Sequence, residues 1–200
     1  MPRPPILIAL PDEIRGRRVL VRPYRPSDAK AVFEAVEESR EHLRPWMSWV
    51  SEHQTLDDSR AFVARQAAEW LLRTDLGMGI WESATGRYLG STGFHRIQWD
   101  VPALEIGYWI RASAQGLGYV TESTALLTGF AFEQLAANRV EIRCDANNVR
   151  SAAVPERLGY AREGLLRSDT RDPTGTLRDT LIFGKTRGDW ERERAASPGG

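Results

Sequence analysis

Glu105-Ile-Gly-Tyr-Trp-Ile-Arg-Ala-Ser-Ala-Gln115-Gly-Leu-Gly-Tyr-Val-Thr-Glu122 is the stretch whose reading decides the fold. Leu104, Ile106, Tyr108 and Ile110 alternate with Glu105, Gly107, Trp109 and Arg111, the two-residue period of a strand with one more apolar face. A small turn follows at Gln115-Gly116-Leu117-Gly118. Beyond it Val120, Leu126, Leu127, Phe130, Ala131 and Leu135 recur at helical spacing, so a helix of about four turns begins near Gly116 or Gly118. A strand, a glycine turn and a helix start in that order leave free backbone N–H groups and the positive end of a helix dipole aimed at one place. Such a place binds an anion, most naturally a phosphate.

Two familiar phosphate loops do not fit. A Walker-type loop needs Gly-Lys-Ser/Thr, which the turn lacks (the chain's Gly184-Lys185-Thr186 stands at the end of a strand far from it), and a dinucleotide fingerprint would need a third glycine where Thr121 stands, in a turn that opens a chain of βαβ units. What remains is Gln-x-x-Gly-x-(Gly/Ala), the pyrophosphate loop of acetyl-coenzyme A in N-acetyltransferases. With Glu105-Ile-Gly-Tyr-Trp, Asn138-Arg-Val-Glu, Asn148-Val-Arg-Ser and Glu156-Arg-Leu-Gly-Tyr in the same order, the chain resembles the GNAT superfamily, in its RimJ/RimL branch, from about Arg17 to Arg187. Val120 departs from the loop pattern, which prefers Gly or Ala there, and narrows the space beside the phosphates.

Composition fits one ordinary domain. Of 200 residues 42% are hydrophobic, and 27 Lys plus Arg balance 27 Asp plus Glu, so nothing argues for broad attraction to nucleic acid or a membrane. The single cysteine, Cys144, excludes an internal disulfide and any multi-cysteine metal site, and a reducing cytoplasm is the natural setting. The opening Met-Pro-Arg-Pro-Pro-Ile-Leu-Ile-Ala-Leu-Pro is too short and too broken by proline for a signal peptide or a span. Residues 1–16 read as an extension, 17–187 as a single N-acetyltransferase domain, and 188–200 as a polar, disordered tail.

The remaining elements follow from period and punctuation. A strand over Arg17 to Tyr24 precedes a helix from Asp28 to about Glu38 with Ser27 as its cap. Thr55 and Asp58 form a capping box for a helix to about Arg73. Strands over Met78 to Glu82 and Arg87 to Trp99 lead into the Glu105 strand through short turns, so these three pair antiparallel. The helix after Gly118 crosses over to a parallel strand at Arg139 to Asp145. A helix between Asn148 and Leu158 and strands near Tyr160 to Ser168 and Thr176 to Lys185 complete an α+β fold, with a mixed, largely antiparallel central sheet flanked by helices.

The resemblance implies acetyl transfer to a primary amine by direct attack on bound acetyl-coenzyme A, with no metal. Cofactor contacts then fall to Tyr108, Trp109, Ile110, Gln115, Gly116, Leu117, Gly118, Tyr119, Val120, Thr121, Asn148 (with Asn147 beside it) and Ser151. Backbone N–H groups of Tyr108 to Ile110 would hold the carbonyl oxygen, and the Ser151 hydroxyl would lie by the sulfur, where many relatives carry a tyrosine that aligns with Pro155. Ser151 also reads as a helix cap. Glu105 is the first candidate for the base, because its strand leads into the loop, and His95 on the neighbouring strand is its rival. Trp46 and Trp49, in a proline-containing segment, either plug the core or line an acceptor groove. Pro155 cannot bond the carbonyl of Ser151, which must find water or ligand. An α-amine, with pKa roughly 7.7 to 8.0, asks less of a base than a lysine near 10.4. The branch implies a protein or peptide N-terminus as the acceptor; the same scaffold also acetylates small amines such as antibiotics and polyamines, which stand as the alternative. A non-catalytic acyl-coenzyme A sensor is a further alternative. Relatives are commonly dimers, so a homodimer is one assembly open to the chain, whose oligomeric state the sequence does not fix. Cys144 reads as a small buried residue and not as an acyl carrier.

Overall fold

In the computed structural model, which describes residues 4–196, eight strands form a single sheet in the order β1-β2-β3-β4-β5-β6-β8-β7. The strands are β1 (Ile14–Arg15), β2 (Val19–Pro23), β3 (Leu76–Glu82), β4 (Tyr88–Gln98), β5 (Ala103–Ile110), β6 (Arg139–Asp145), β7 (Ala161–Arg171) and β8 (Leu177–Thr186). The helices are α1 (Ala29–Leu43), α2 (Leu56–Leu72), α3 (Tyr119–Glu133), α4 (Val149–Arg157) and α5 (Arg187–Ala196). Every neighbouring pair is antiparallel except β5 and β6, which the α3 crossover makes parallel. The fold is the expected one.

Alternation along the strands builds two cores. Val21, Met78, Ile80, Phe94 and Ile106 face α3, meeting Leu127, Ala131 and Phe132. Trp81, Tyr88 and Trp109 face the other way, against Val32, Ala35 and Val36 of α1 and Val63 of α2. Adjacent residues Tyr108 and Trp109 thus sit in opposite cores, one on each side of β5.

The β5–β6 register decides where a site can form. Ala103, Leu104 and Glu105 pair with Arg139, Val140 and Glu141, and there the pairing stops, although both strands continue. Ile106 to Ile110 therefore have no strand on that edge, and the two strands open into a fork whose far side is closed by the starts of α3 and α4.

Several local expectations need correction. Ser27 does not cap α1: Pro26–Asp28 is a 3-10 turn, and Asp28, with no side-chain cap to the helix, accepts from the Arg25 amide at 2.7 Å. The helix runs on to Leu43 because its second half is used, with Glu38, Ser39 and His42 all bonded to the segment at Ile110 to Ser113. The polar tail is helical through Ala196, while 197–200 lie outside the described residues. Thr186 and Asp189 bond reciprocally at its start, Trp190 stacks on Phe132 at 5.4 Å, and Glu193 accepts from the buried Lys185 at 2.5 Å. One aromatic anchor and one capping pair outweigh a polar composition. Part of the N-terminal extension also joins the sheet, as Ile14 and Arg15 pair with β2.

Candidate active site

Two cavities meet at β5. The larger, of about 1210 Å³, occupies the fork and is lined by the start of α3, the start of α4 and the Pro45-Trp46-Met47 segment. The smaller, of about 640 Å³, lies between β4–β5 and the α1–α2 side. Met47, Tyr108 and Trp109 line both, so the two openings converge beside β5.

The floor of the larger cavity is the glycine turn. Gly116 (φ 71°) and Gly118 (φ 80°) are left-handed, which turns the chain so that the first turn of α3, from Tyr119 to Glu122, lines the cavity. Gly118 is the N-cap and no side chain caps it; the first amide of the helix to find a backbone acceptor is that of Glu122, on the Gly118 carbonyl. The four amides before it are those a helix start leaves without an internal partner. Three side chains brace this arrangement. Glu122 accepts from the Arg18 amide at 2.7 Å and from Arg18 Nε at 2.8 Å, Arg18 Nη1 donates to the Leu117 carbonyl at 2.9 Å, and the Tyr119 hydroxyl donates to Glu82 at 2.7 Å. Arg150 donates to Gln115 Oε1 at 2.6 Å, bringing a second guanidinium to the rim. An uncapped helix start with guanidinium groups beside it is a place where an anion can bind, although Arg18 already pairs with Glu122.

The expected cofactor residues Tyr108, Trp109, Ile110, Gln115, Gly116, Gly118, Tyr119, Val120 and Thr121 all line this cavity. Asn148, Asn147, Ser151 and Trp46 do too. Leu117 does not; its side chain is half exposed and its carbonyl serves Arg18. Ser151 is not the cap of α4: Asn148 is, accepting from the Ser151 amide at 3.1 Å. The Ser151 carbonyl freed by Pro155 has a partner within the protein: it accepts from the Tyr108 hydroxyl at 2.9 Å, with Ser151 Oγ 3.4 Å from the same oxygen. Burial pushes the Tyr108 phenol up, so it remains a donor. Proline in α4 thereby fastens the helix to β5 across the fork.

Peptide groups of β5 face the fork in alternation. The Gly107 carbonyl takes the Thr92 hydroxyl on the β4 side, whereas the Ile110 carbonyl accepts from His42 Nε2 at 2.9 Å. By the two-residue alternation of a strand, the Tyr108 and Ile110 amides point into the fork.

The smaller cavity holds Trp49 and His95, together with Glu52, Asp58, Glu69 and Asp75 against one arginine, Arg65. Trp49 packs on Trp109 at 5.9 Å and on His53 at 5.8 Å, so it is both wall and core; the two tryptophans serve different cavities. Burial holds the His53 imidazole below its ordinary range, keeping it neutral near neutral pH. The cavity is consequently acidic. Glu105 lines neither opening. It sits at the last paired rung of β5 and β6, 3.4 Å from Arg96 Nη1, and burial pushes its carboxyl up although Arg96 and Arg143 oppose the shift. Cys144 also lines neither, and burial pushes its thiol up to about 11, far from a nucleophilic thiolate.

Asp75, Arg18 and Arg150 escaped the reading of the sequence, as did the Glu38 clamp. Arg18 and Glu122 are 104 residues apart, and no local pattern announces such a pair. Glu38 accepts from Arg111 Nε at 3.0 Å and from the Ser113 amide at 2.9 Å, tying α1 to the end of β5. Those bonds hold its carboxyl down from 4.5 to about 2, with Arg111 the largest cause. Because the folded value is depressed, the stabilisation is present above about 4.5 and is lost as pH falls towards about 2. Glu38→Gln is expected to cost about 1–2 kcal/mol near neutral pH. Denaturant titrations should show that difference from wild type shrinking as the pH is lowered through that window.

Among the described residues no helix is long and apolar enough to cross a membrane, and no group of three or more His, Cys, Asp or Glu is placed to hold a metal ion. Residues 18–161 match the acetyltransferase (GNAT) domain family. YdaF of Bacillus subtilis (strain 168), named provisionally as a ribosomal N-acetyltransferase, is 29% identical over 90% of this chain and 97% of its own. The ribosomal-protein-serine acetyltransferase of Escherichia coli (strain K12) is 25% identical over 69% of this chain and 76% of its own. In structure, RimL, an α-N-protein acetyltransferase of a ribosomal protein solved with coenzyme A, superposes with a TM-score of 0.82 at 20% identity, covering 87% of this chain and 97% of that one. An uncapped helix start on a forked sheet, in a chain that matches the domain over most of its length, has one explanation: the protein belongs to the GNAT family and is an acetyl-coenzyme A-dependent N-acetyltransferase.

Proposed function

We infer that the acceptor is the α-amine of a protein or peptide N-terminus, entering through the smaller cavity while the acetyl donor occupies the fork. The observation that carries this reading is the convergence of an acidic cavity and an anion-binding cavity on the same three residues, Met47, Tyr108 and Trp109. Donor and acceptor can then be held together, and the amine can attack the thioester directly.

The fork suits acetyl-coenzyme A chemically. The free amides from Gly116 to Thr121, with Arg18 and Arg150 at the rim, would hold the diphosphate. Asn148 and Ser151 line the path along α4 towards β5. Bound there, acetyl-coenzyme A supplies an activated acetyl group as a thioester. The Tyr108 and Ile110 amides are oriented to stabilise negative charge on the carbonyl oxygen. Ser151, which lines the same cavity, would offer the leaving sulfur a hydrogen bond, since a hydroxyl is too weak an acid to protonate a thiolate of pKa about 8.5 outright. Trp46 lines the larger cavity and Trp49 the smaller, each giving its cavity an aromatic wall.

Four carboxylates against one arginine favour a cationic acceptor, which a free N-terminus is. About a tenth of such an amine is already neutral near pH 7. The names of the ribosomal relatives support the same acceptor class. The test offers a panel of N-terminal peptides, their Nα-blocked counterparts carrying lysine, and small amines, following thiol release and locating the acetyl group by mass spectrometry. Acetylation at the α-nitrogen that disappears on blocking is expected. A small amine used at least about tenfold more efficiently than any peptide would transfer the enzyme to that substrate class, and cofactor binding with no turnover on any amine would make it a sensor.

A further inference from the structure

His95 is held on two sides. Its Nδ1 lies 2.7 Å from Asp75 Oδ2, and its ring rests against the Cα of Gly107: a methyl group built there would meet His95 Cδ2 at 2.8 Å and Nε2 at 3.1 Å. Only glycine on β5 lets the imidazole come so close to the strand. A carboxylate on Nδ1 selects the tautomer whose Nε2 carries the lone pair, and that nitrogen lies beside Gly107, one residue from the point where the two cavities meet. Asp75, His95, Gly107 and Tyr108 all line the smaller cavity. The second oxygen of Asp75, Oδ1, is buried with no hydrogen-bond partner among the described residues, and His95 is the one basic side chain among them that pairs with this carboxylate. Glu105 has none of these features: it lines neither cavity and faces Arg96.

We propose that His95, oriented by Asp75, is the base that takes the proton from the attacking amine, and that Glu105 is not. This rests on the acceptor entering through the smaller cavity. As the amine nitrogen bonds to the acetyl carbon, the carbon–sulfur bond breaks; one N–H proton passes to His95 Nε2, and the leaving sulfur takes a proton from solvent. His95 then returns its proton to water, so the protein ends unchanged. Asp75 touches no reacting atom and is a positioning residue.

The test is kinetic and uses whichever amine the panel selects, so that failure of the peptide reading and failure of the base are told apart. His95→Ala should lower kcat/KM for the amine by about 10²-fold or more, with affinity for acetyl-coenzyme A, read by calorimetry, unchanged. Added imidazole should restore part of the loss, having no effect on wild type, since the cavity then holds space where the ring stood. Asp75→Asn should fall by about tenfold or more in kcat without rescue by imidazole, because the ring is present in the wrong orientation. Glu105→Gln should stay within about threefold of wild type. A His95→Ala enzyme of near wild-type rate, a folded one that imidazole does not restore, or a larger loss from Glu105→Gln would overturn the assignment.

Discussion

Gly116→Asp is expected to weaken acetyl-coenzyme A binding by about 10²–10³-fold while the protein stays folded. Gly116 lines the fork at φ 71°, and a Cβ added there meets nothing within 4 Å. Steric cost is therefore limited to the left-handed backbone, about 1 kcal/mol, and Asp is among the residues that tolerate it best. Its carboxylate, however, would stand where the loop is proposed to meet a diphosphate. Two unit charges about 4 Å apart at an effective dielectric near 20 repel by about 4 kcal/mol, which is roughly a thousandfold in affinity. Gly116→Asn is the control, since it has the same shape and backbone demand without the charge, and it should bind within a few-fold of wild type. Calorimetric titration of both variants measures the difference. Equal affinities for Asp and Asn would mean that the diphosphate is held elsewhere.

The second large effect is on stability. Asp28→Asn should lower it by about 3–5 kcal/mol, the usual cost of leaving one member of a buried ion pair alone. Arg22 and Asp28 form a two-pronged pair at 2.8 and 2.9 Å, with side chains only 11% and 6% exposed. Asp28 Oδ2 also accepts from the Arg25 amide, and the Arg22 guanidinium lies 4.1 Å from the Trp81 ring centroid. The amide of asparagine can replace one of these bonds but not the charge. At roughly 2–4 °C per kcal/mol for a chain of this size, the melting temperature should drop by about 6–20 °C. Adding Arg22→Met should recover part of the loss, because no orphan cation is then buried. A single-variant loss below about 1 kcal/mol would contradict the burial. The pair joins β2 to α1, and α1 supplies Val32 and Val36 to the acceptor side, so activity should fall at temperatures well below the wild-type limit.

Legibility in the sequence tracked the range of the interactions. The capping box at Thr55 and Asp58 was legible because both partners lie within one turn, and Thr55 does accept from the Asp58 amide. The β6 strand and the parallel crossover were legible from periodicity and connection length. Ser27 misled because a residue that normally caps a helix was displaced by Asp28, whose first obligation is to a buried arginine on another element. The α5 helix was missed because Trp190 is a single apolar residue in a charged run, and its partner Phe132 belongs to α3.

The site divides along the same line. Local order alone determined the glycine turn, the uncapped helix that follows it and the strand that leads in, since turn chemistry and two-residue or helical periods need only neighbours in the chain. It therefore determined the family and the half of the site that receives an anion. Tertiary structure alone decided that β5 and β6 part after Glu105, that Tyr108 secures the carbonyl freed by Pro155, and that Asp75 grips His95 beside Gly107. Those are distances between residues tens of positions apart, set by how two faces of one sheet pack against different helices, and no period within either segment encodes them.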